Sequence, residues 1–238
     1  MSEILGIDTD NYAVQSLKST GGGSATLQSK SVTITQNGTQ NVTPDTGYDG
    51  LSSVAIDVNV SGDTKPVLPA GIRFYSSGCS DMSWLTEVDT SQLTDIGGMF
   101  ASCLSLTYVP TFDTSNVTSA GTVFNGSYNL ETLPSLDLSK VTYCESFANS
   151  CSKLKNVPVY NLESMTNARS MRYMFTSCPN LTNESLNNIM ETCISTNIAT
   201  YPALKTLNNL GLTQAQATTC QSLSNWNAFT EAGWSSGF

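Results

Sequence analysis

The chain has 238 residues and a mass of 25.4 kDa, and its 39% apolar content is enough for a real core in one ordinary domain or two small ones. Nineteen acidic residues against ten basic ones give a formal net charge of -9, so a phosphate backbone or an anionic membrane is a poor partner. Only 12% of residues are charged, which leaves the surface to neutral Ser, Thr and Asn, and the lack of histidine removes Ser-His-Asp and Cys-His catalysis and the commonest metal ligand.

Residues 1–24 carry scattered apolar residues, Ile4, Leu5, Ile7, Val14 and Leu17, with no evident core of their own, and then three glycines, Gly21, Gly22 and Gly23. A segment that cannot bury its apolar residues within its own chain orders on a partner surface, and consecutive glycines make a flexible joint. This stretch reads as a docking arm and hinge. Met1 to Leu5 has no basic region, and no run approaches the roughly 18 apolar residues a bilayer span needs, so neither an export signal nor membrane insertion is expected. Asp8-Thr9-Asp10-Asn11 lacks the glycine and distal Glu of a calcium loop, and the glycines are not followed by the Lys and Ser/Thr of a phosphate loop.

Residues 25–62 read as a small β module. Val32 to Thr35 and Gln40 to Thr43 flank Asn37-Gly38, a strong hairpin signal, while Val54, Ile56, Val58 and Val60 alternate as in a strand buried on one face.

Residues 63–181 contain a 24-residue repeat. Met82, Leu106, Leu130 and Leu154 form one apolar column; Leu85, Val109, Leu133 and Val157 a second; Val88, Phe112, Leu136 and Tyr160 a third; Leu93, Val117, Val141 and Met165 a fourth. An aromatic recurs at Phe100, Phe124, Phe147 and Phe175, followed by Cys103, Ser127, Cys151 and Cys178, and the last unit is about three residues longer around Arg169 to Tyr173. One such unit cannot bury its own apolar face, so copies must stack with each column as a ladder in a continuous core. The apolar-x-x-apolar-Pro segment predicts a short strand or extended turn, and the stretch ending in Met99-Phe100 a second element on the other wall. Seven cysteines without a CxxC pair resemble neither a disulfide framework nor a zinc site, and read as buried small hydrophobes with free thiols. The column Asp89, Asp113 and Asp137 invites a cation site, but each Asp precedes Thr-Ser or Leu-Ser and reads as an acceptor for backbone N–H groups in a turn.

Residues 182–238 supply a cap, which a stack needs to end its exposed core. Thr182 can N-cap a helix carrying Leu186, Ile189, Met190 and Cys193 on one stripe; Thr213 and Gln216 form a capping box behind Leu212, and Trp226, Phe229 and Trp234 can seal the end. The fold class that follows is mixed β/α: a small N-terminal β module, a short solenoid with a 24-residue period, and a helical C-terminal cap.

The pattern Leu106-x-x-Val109-Pro110, Phe112-Asp113, Ser115-x-Val117 and Phe124 resembles the BspA-type leucine-rich repeat, over roughly residues 80–180. The ending with Leu210-Gly211-Leu212-Thr213, Trp226 and Gly233-Trp234 is similar to the termini of such proteins from phages and prophages. The run from Asn37 to Val54 resembles a segment of phage tail, baseplate and fibre proteins. The resemblance implies a non-enzymatic bacteriophage structural protein, a head fibre or a tail or baseplate fibre, on the virion surface and made in the host bacterial cytoplasm. It implies partners among capsid, portal-neck or tail proteins reached through the N-terminus, and a repeat domain used for adhesion to a host-surface glycan or protein. A small β unit with exposed edges favours a homo-oligomer, with a trimer expected. No cofactor and no nucleic acid are expected. The rings outside the ladders, Trp84, Tyr108, Tyr128 and Tyr143, together with Tyr75, form the candidate ligand face, because rings among Ser, Thr and Asn make carbohydrate- or protein-binding surfaces. A bacterial cell-surface repeat adhesin is the alternative, and a glycan-active enzyme a distant third.

Overall fold

The computed structural model describes residues 12–15, 29–36, 53–60, 82, 85–86 and 89–238. Ile4, Leu5, Ile7, Leu17, Gly21, Gly22, Gly23, Tyr75, Trp84 and Val88, singled out in the sequence, lie outside these residues. Three strands form a sheet in the order β1, β2, β3, where β1 is Tyr12–Gln15, β2 is Ser29–Gln36 and β3 is Ser53–Val60. β1 is antiparallel to β2, with Val14 opposite Ile34, and β3 is parallel to β2, with Val58 opposite Ile34.

Val14, read from the sequence as part of the docking arm, lies in β1. Asn37-Gly38 and the segment Gln40 to Thr43 expected to pair across it lie outside the described residues. Thr33 to Gln36 are paired with β1 on one edge and β3 on the other, and a strand has only two edges to offer.

From Asp89 onward the chain winds in units that bond to one another at an offset of 24 residues, as between Thr118 and Thr94 and between Thr142 and Thr118. On one wall the N–H groups of Ile96, Gly98, Phe100 and Ser102 donate to the carbonyls of Ser119, Gly121, Val123 and Asn125. Those of Ala120, Thr122, Phe124 and Gly126 donate to Tyr143, Glu145, Phe147 and Asn149, and those of Cys144, Ser146, Ala148 and Ser150 to Ser170, Arg172, Met174 and Thr176. The intervening N–H groups close turns inside their own unit, Met99 to Ile96 and Ala101 to Gly98 among them. Alternate donors therefore bond between units and within them, and the wall satisfies its backbone without being a β-strand. We call it the turn wall.

These turns hold residues in the left-handed region at Gly98, Thr122, Ser146 and Tyr173, and again at Ser102, Gly126, Ser150 and Ser177, with φ between 57° and 76°. Both series step by 24, 24 and then 27 residues. The extra three residues fall where a single 3-10 turn, Ala168–Met171, is inserted.

The same register corrects the aromatic column. Phe100 and Phe124 are equivalent, but their counterpart in the third unit is Ala148, and Phe147 takes the position of Met99, Val123 and Met174. The rings respond: Phe100 and Phe124 stack at 5.5 Å and 9°, whereas Phe124 and Phe147 meet edge-on at 5.3 Å and 88°. Both adjacent positions face the core in every unit, so a ring can sit in either. The remaining column residues, Leu106, Val109, Phe112, Val117, Leu130, Leu133, Leu136, Val141, Leu154 and Val157, are all buried in one cluster with Phe124 and Phe147.

Three helices follow: α1 (Asn183–Ile194), α2 (Gln214–Cys220) and α3 (Trp226–Glu231). The Thr182 side chain accepts from Ser185 N to cap α1, and Thr213 and Gln216 make both bonds of a capping box at α2. Leu186, Ile189, Met190 and Cys193 of α1 are buried against the last unit. A second row on α1 bonds to that unit's backbone. Val157 N donates to Ser185 Oγ, Tyr160 N to Thr192 Oγ1 and Leu162 N to Ser195 Oγ, while Asn188 Nδ2 donates to Val157 O. Helix side chains thus stand in for the backbone of a further unit. The turn wall ends differently, with Tyr173 N and Phe175 N donating to the carbonyls of Asn209 and Leu210. Phe229, packed on Trp226 and Trp234 at 5.6 Å from each, closes the C-terminus.

Candidate functional site

Cys103, Ser127, Cys151 and Cys178 occupy one buried position of the repeat. Ser127 Oγ donates to Phe100 O, Cys151 Sγ to Phe124 O and Cys178 Sγ to Ala148 O, each reaching back to the same carbonyl of the preceding unit. The column selects a small side chain that can donate, which is why serine replaces cysteine there. Burial pushes the Cys178 thiol up to about 12 and the Cys144 thiol likewise to about 12, and raises Cys151 further. Thiols that stay protonated are poor nucleophiles and poor ligands.

The acidic column is built from turns. Asp89, Asp113 and Asp137 each accept from the N–H two residues on, at Ser91, Ser115 and Ser139, and Asn161 accepts from Glu163 in the same way. The bonds from Ser139 hold the Asp137 carboxyl below its ordinary value. Among the described residues no group of His, Cys, Asp or Glu is arranged to hold a metal ion.

Tyr108, Tyr128 and Tyr143 are all exposed, but they occupy three different positions of the unit. Tyr143 opens the turn wall, bridged to Ser119; Tyr108 repeats as Thr132 and Asn156; Tyr128 repeats as Leu104 and Ser152. The structure does not gather them in one column. Tyr143 instead joins a polar cluster. Its ring fills the space above Gly121 that a side chain there would need, its hydroxyl lies 3.4 Å from Glu145 Oε2, and Arg172 bridges Glu145 at 2.9 Å. Tyr173, a further exposed ring, lies beside Arg172, whose guanidinium is 5.6 Å from the ring centre.

A groove lies where the units carrying Thr132 and Asn156 meet α1. It has a volume of about 310 Å3 and is lined by Thr132, Leu133, Asn156, Val157, Pro158, Glu184, Ser185 and Asn188. Leu133 and Val157 are buried beneath it. Asn156 Nδ2 donates to Thr132 Oγ1 at 3.1 Å, and Asn188 Nδ2 to Val157 O. Lys155 and Glu131 form an exposed ion pair at 2.9 Å in the neighbouring column.

Residues 73–189 match the family model described as "Mycoplasma protein of unknown function, DUF285". The match spans the repeat units and the first half of α1. It is a similarity in the region whose period and bonding are set out above. No curated protein and no solved structure matches the chain.

Sequence reasoning on single rings missed the groove, because its lining comes from two repeat units and the cap. A signal was present: Ser185, Asn188, Thr192 and Ser195 recur at three- and four-residue steps along α1 and its C-cap, flanking the apolar stripe. No helix among the described residues is long and apolar enough to cross a membrane.

Proposed function

We propose that the chain is a non-enzymatic structural protein of the bacteriophage surface, a head fibre or a tail or baseplate fibre, whose leucine-rich-repeat stack is held outward for adhesion. The observation that carries this reading is the chemistry of the repeat: a dry ladder of Leu, Val and Phe inside, and outside a repeated set of Ser, Thr and Asn groups that bond to neighbouring units. Such a stack gives a rigid surface of neutral donors and acceptors at regular spacing, suited to glycans or uncharged protein surfaces. The N-terminal sheet and the residues ahead of it are the docking element, and three copies pairing through exposed strand edges make a fibre base.

A second reading is a bacterial cell-surface adhesin of the same architecture. The family model matched over residues 73–189 is described from a bacterium, as a mycoplasma protein of unknown function, which is why this reading is kept. Electron microscopy of purified particles labelled with antibody against this chain separates the two. Regular labelling at the head or tail supports the virion protein, whereas unlabelled particles together with labelled bacterial cells select the adhesin.

A further inference from the structure

Resting on the adhesion reading, we propose that the groove between α1 and the units carrying Thr132 and Asn156 is a binding subsite for a neutral saccharide. Its lining has a surplus of acceptors. Among the described residues the Glu184 carboxylate has neither an ion-pair nor a hydrogen-bond partner, and the amides of Asn156 and Asn188 each spend one N–H, which leaves both Oδ1 atoms and one further N–H on each amide open. Ser185 is not available, since its hydroxyl donates to Lys155 O and accepts from Val157 N. Acceptor positions outnumber the open donors, so the pocket suits a ligand whose groups can both donate and accept.

Hydroxyl groups on a ring meet that demand. A carboxylate flanked by amide oxygens takes adjacent hydroxyls, and the floor of Leu133, Val157 and Pro158 matches the C–H face of a pyranose. Tyr108 stands one unit before Thr132 in the same column and is 60% exposed, so the row continues beyond the groove onto an aromatic ring. The Coulomb balance disfavours an acidic sugar, with Glu184 unpaired and a net charge of -9 on the chain. A cationic ligand would also satisfy acceptors, but its affinity would fall steeply with salt, whereas that of a neutral saccharide would not.

The test uses the full chain on immobilised neutral oligosaccharides of glucose, galactose, mannose and N-acetylglucosamine, with sialylated counterparts alongside and host cells as a separate surface. We expect capture by a neutral set, little change between 50 mM and 500 mM salt, and no preference for sialylated forms. Glu184→Gln, at an exposed site, weakens capture by about tenfold or more through loss of charge-assisted bonds. Thr132→Trp abolishes it by filling the groove, and both variants keep the wild-type melting temperature. Capture that survives both substitutions, or that is lost in Tyr143→Ala and retained in both, places the ligand elsewhere and overturns the subsite. Host cells bound without any saccharide captured overturn the saccharide and leave the adhesion reading standing. A chain that binds neither surface removes both.

Discussion

Replacing Phe124 with alanine removes the ring at the centre of the turn wall. It is wholly buried, stacked on Phe100 at 5.5 Å and met edge-on by Phe147 at 5.3 Å, so neither neighbour can move into the void without giving up its own contact. Truncating a buried Phe to Ala costs about 3–5 kcal/mol, and aromatic pairs add about 0.5–1.5 kcal/mol each, so the upper part of that range, about 4–5 kcal/mol, is expected. Phe124→Leu keeps most of the volume and loses about 1–1.5 kcal/mol. Ala148→Phe, which would complete the aromatic column if the repeat were read strictly by 24 residues, is instead destabilising by about 1–3 kcal/mol, because Ala148 is wholly buried beside Phe147, whose ring is already packed on Phe124 and Tyr160. Urea unfolding followed by far-UV circular dichroism measures all three, with the slope checked for constancy. A loss under about 1 kcal/mol for Phe124→Ala, or a gain for Ala148→Phe, would refute the register assigned to the third unit.

Three further predictions follow from the same contacts. The thiols of Cys144, Cys151 and Cys178 are inert to a thiol reagent at pH 8 until the chain unfolds. Because their folded values lie above the ordinary 9.0, the stability they contribute is complete below pH 9 and declines as pH rises toward about 12; a flat alkaline limb in a stability profile would contradict this. Asp137, held below its ordinary 3.8, contributes stability that is present above that pH and is lost as pH falls through its lower folded value, so Asp137→Asn flattens the acid limb slightly, as thermal melts between pH 2 and 5 can read. A chain beginning at Gly22 loses β1 and bares the edge of β2 at Thr33 to Gln36; light scattering should show self-association while the melting temperature of the repeat stack stays unchanged, and a monodisperse product would argue against the β1 pairing.

The period of 24 was legible because each apolar column has a single tolerant requirement, burial, that leaves a mark at every repeat. The caps at Thr182 and Thr213 were legible for a related reason: the side chain that makes the bond sits within three residues of the N–H it serves. Phe147 was misplaced because two adjacent positions face inward, and only the backbone bonds tell them apart. The partners of β2 were hidden because strand pairing is decided by distant segments, and the alternation within Val32 to Thr35 does not name β1 or β3 as neighbours. The groove was hidden by distance as well, since Thr132, Asn156 and Glu184 become neighbours only when units stack and α1 folds over them.

The turn wall also has an electrical sense. The peptide joining Ser119 to Ala120 points its carbonyl at Ile96 in the preceding unit and its N–H at Tyr143 in the following one, and the peptides that start at Gly121, Val123 and Asn125 do the same. Each peptide carries a dipole of about 3.5 D, and here four per layer add head to tail along the stack, as they do along a helix, but with the positive end toward the C-terminus. A layer of this kind can be followed only by something that offers oxygen. Another unit does so, and so do the carbonyls of Asn209 and Leu210, which receive the N–H groups of Tyr173 and Phe175. The array can therefore lengthen or shorten by whole units at an unchanged register, while the terminal piece cannot be transplanted to the opposite end, where the peptides would meet it oxygen to oxygen.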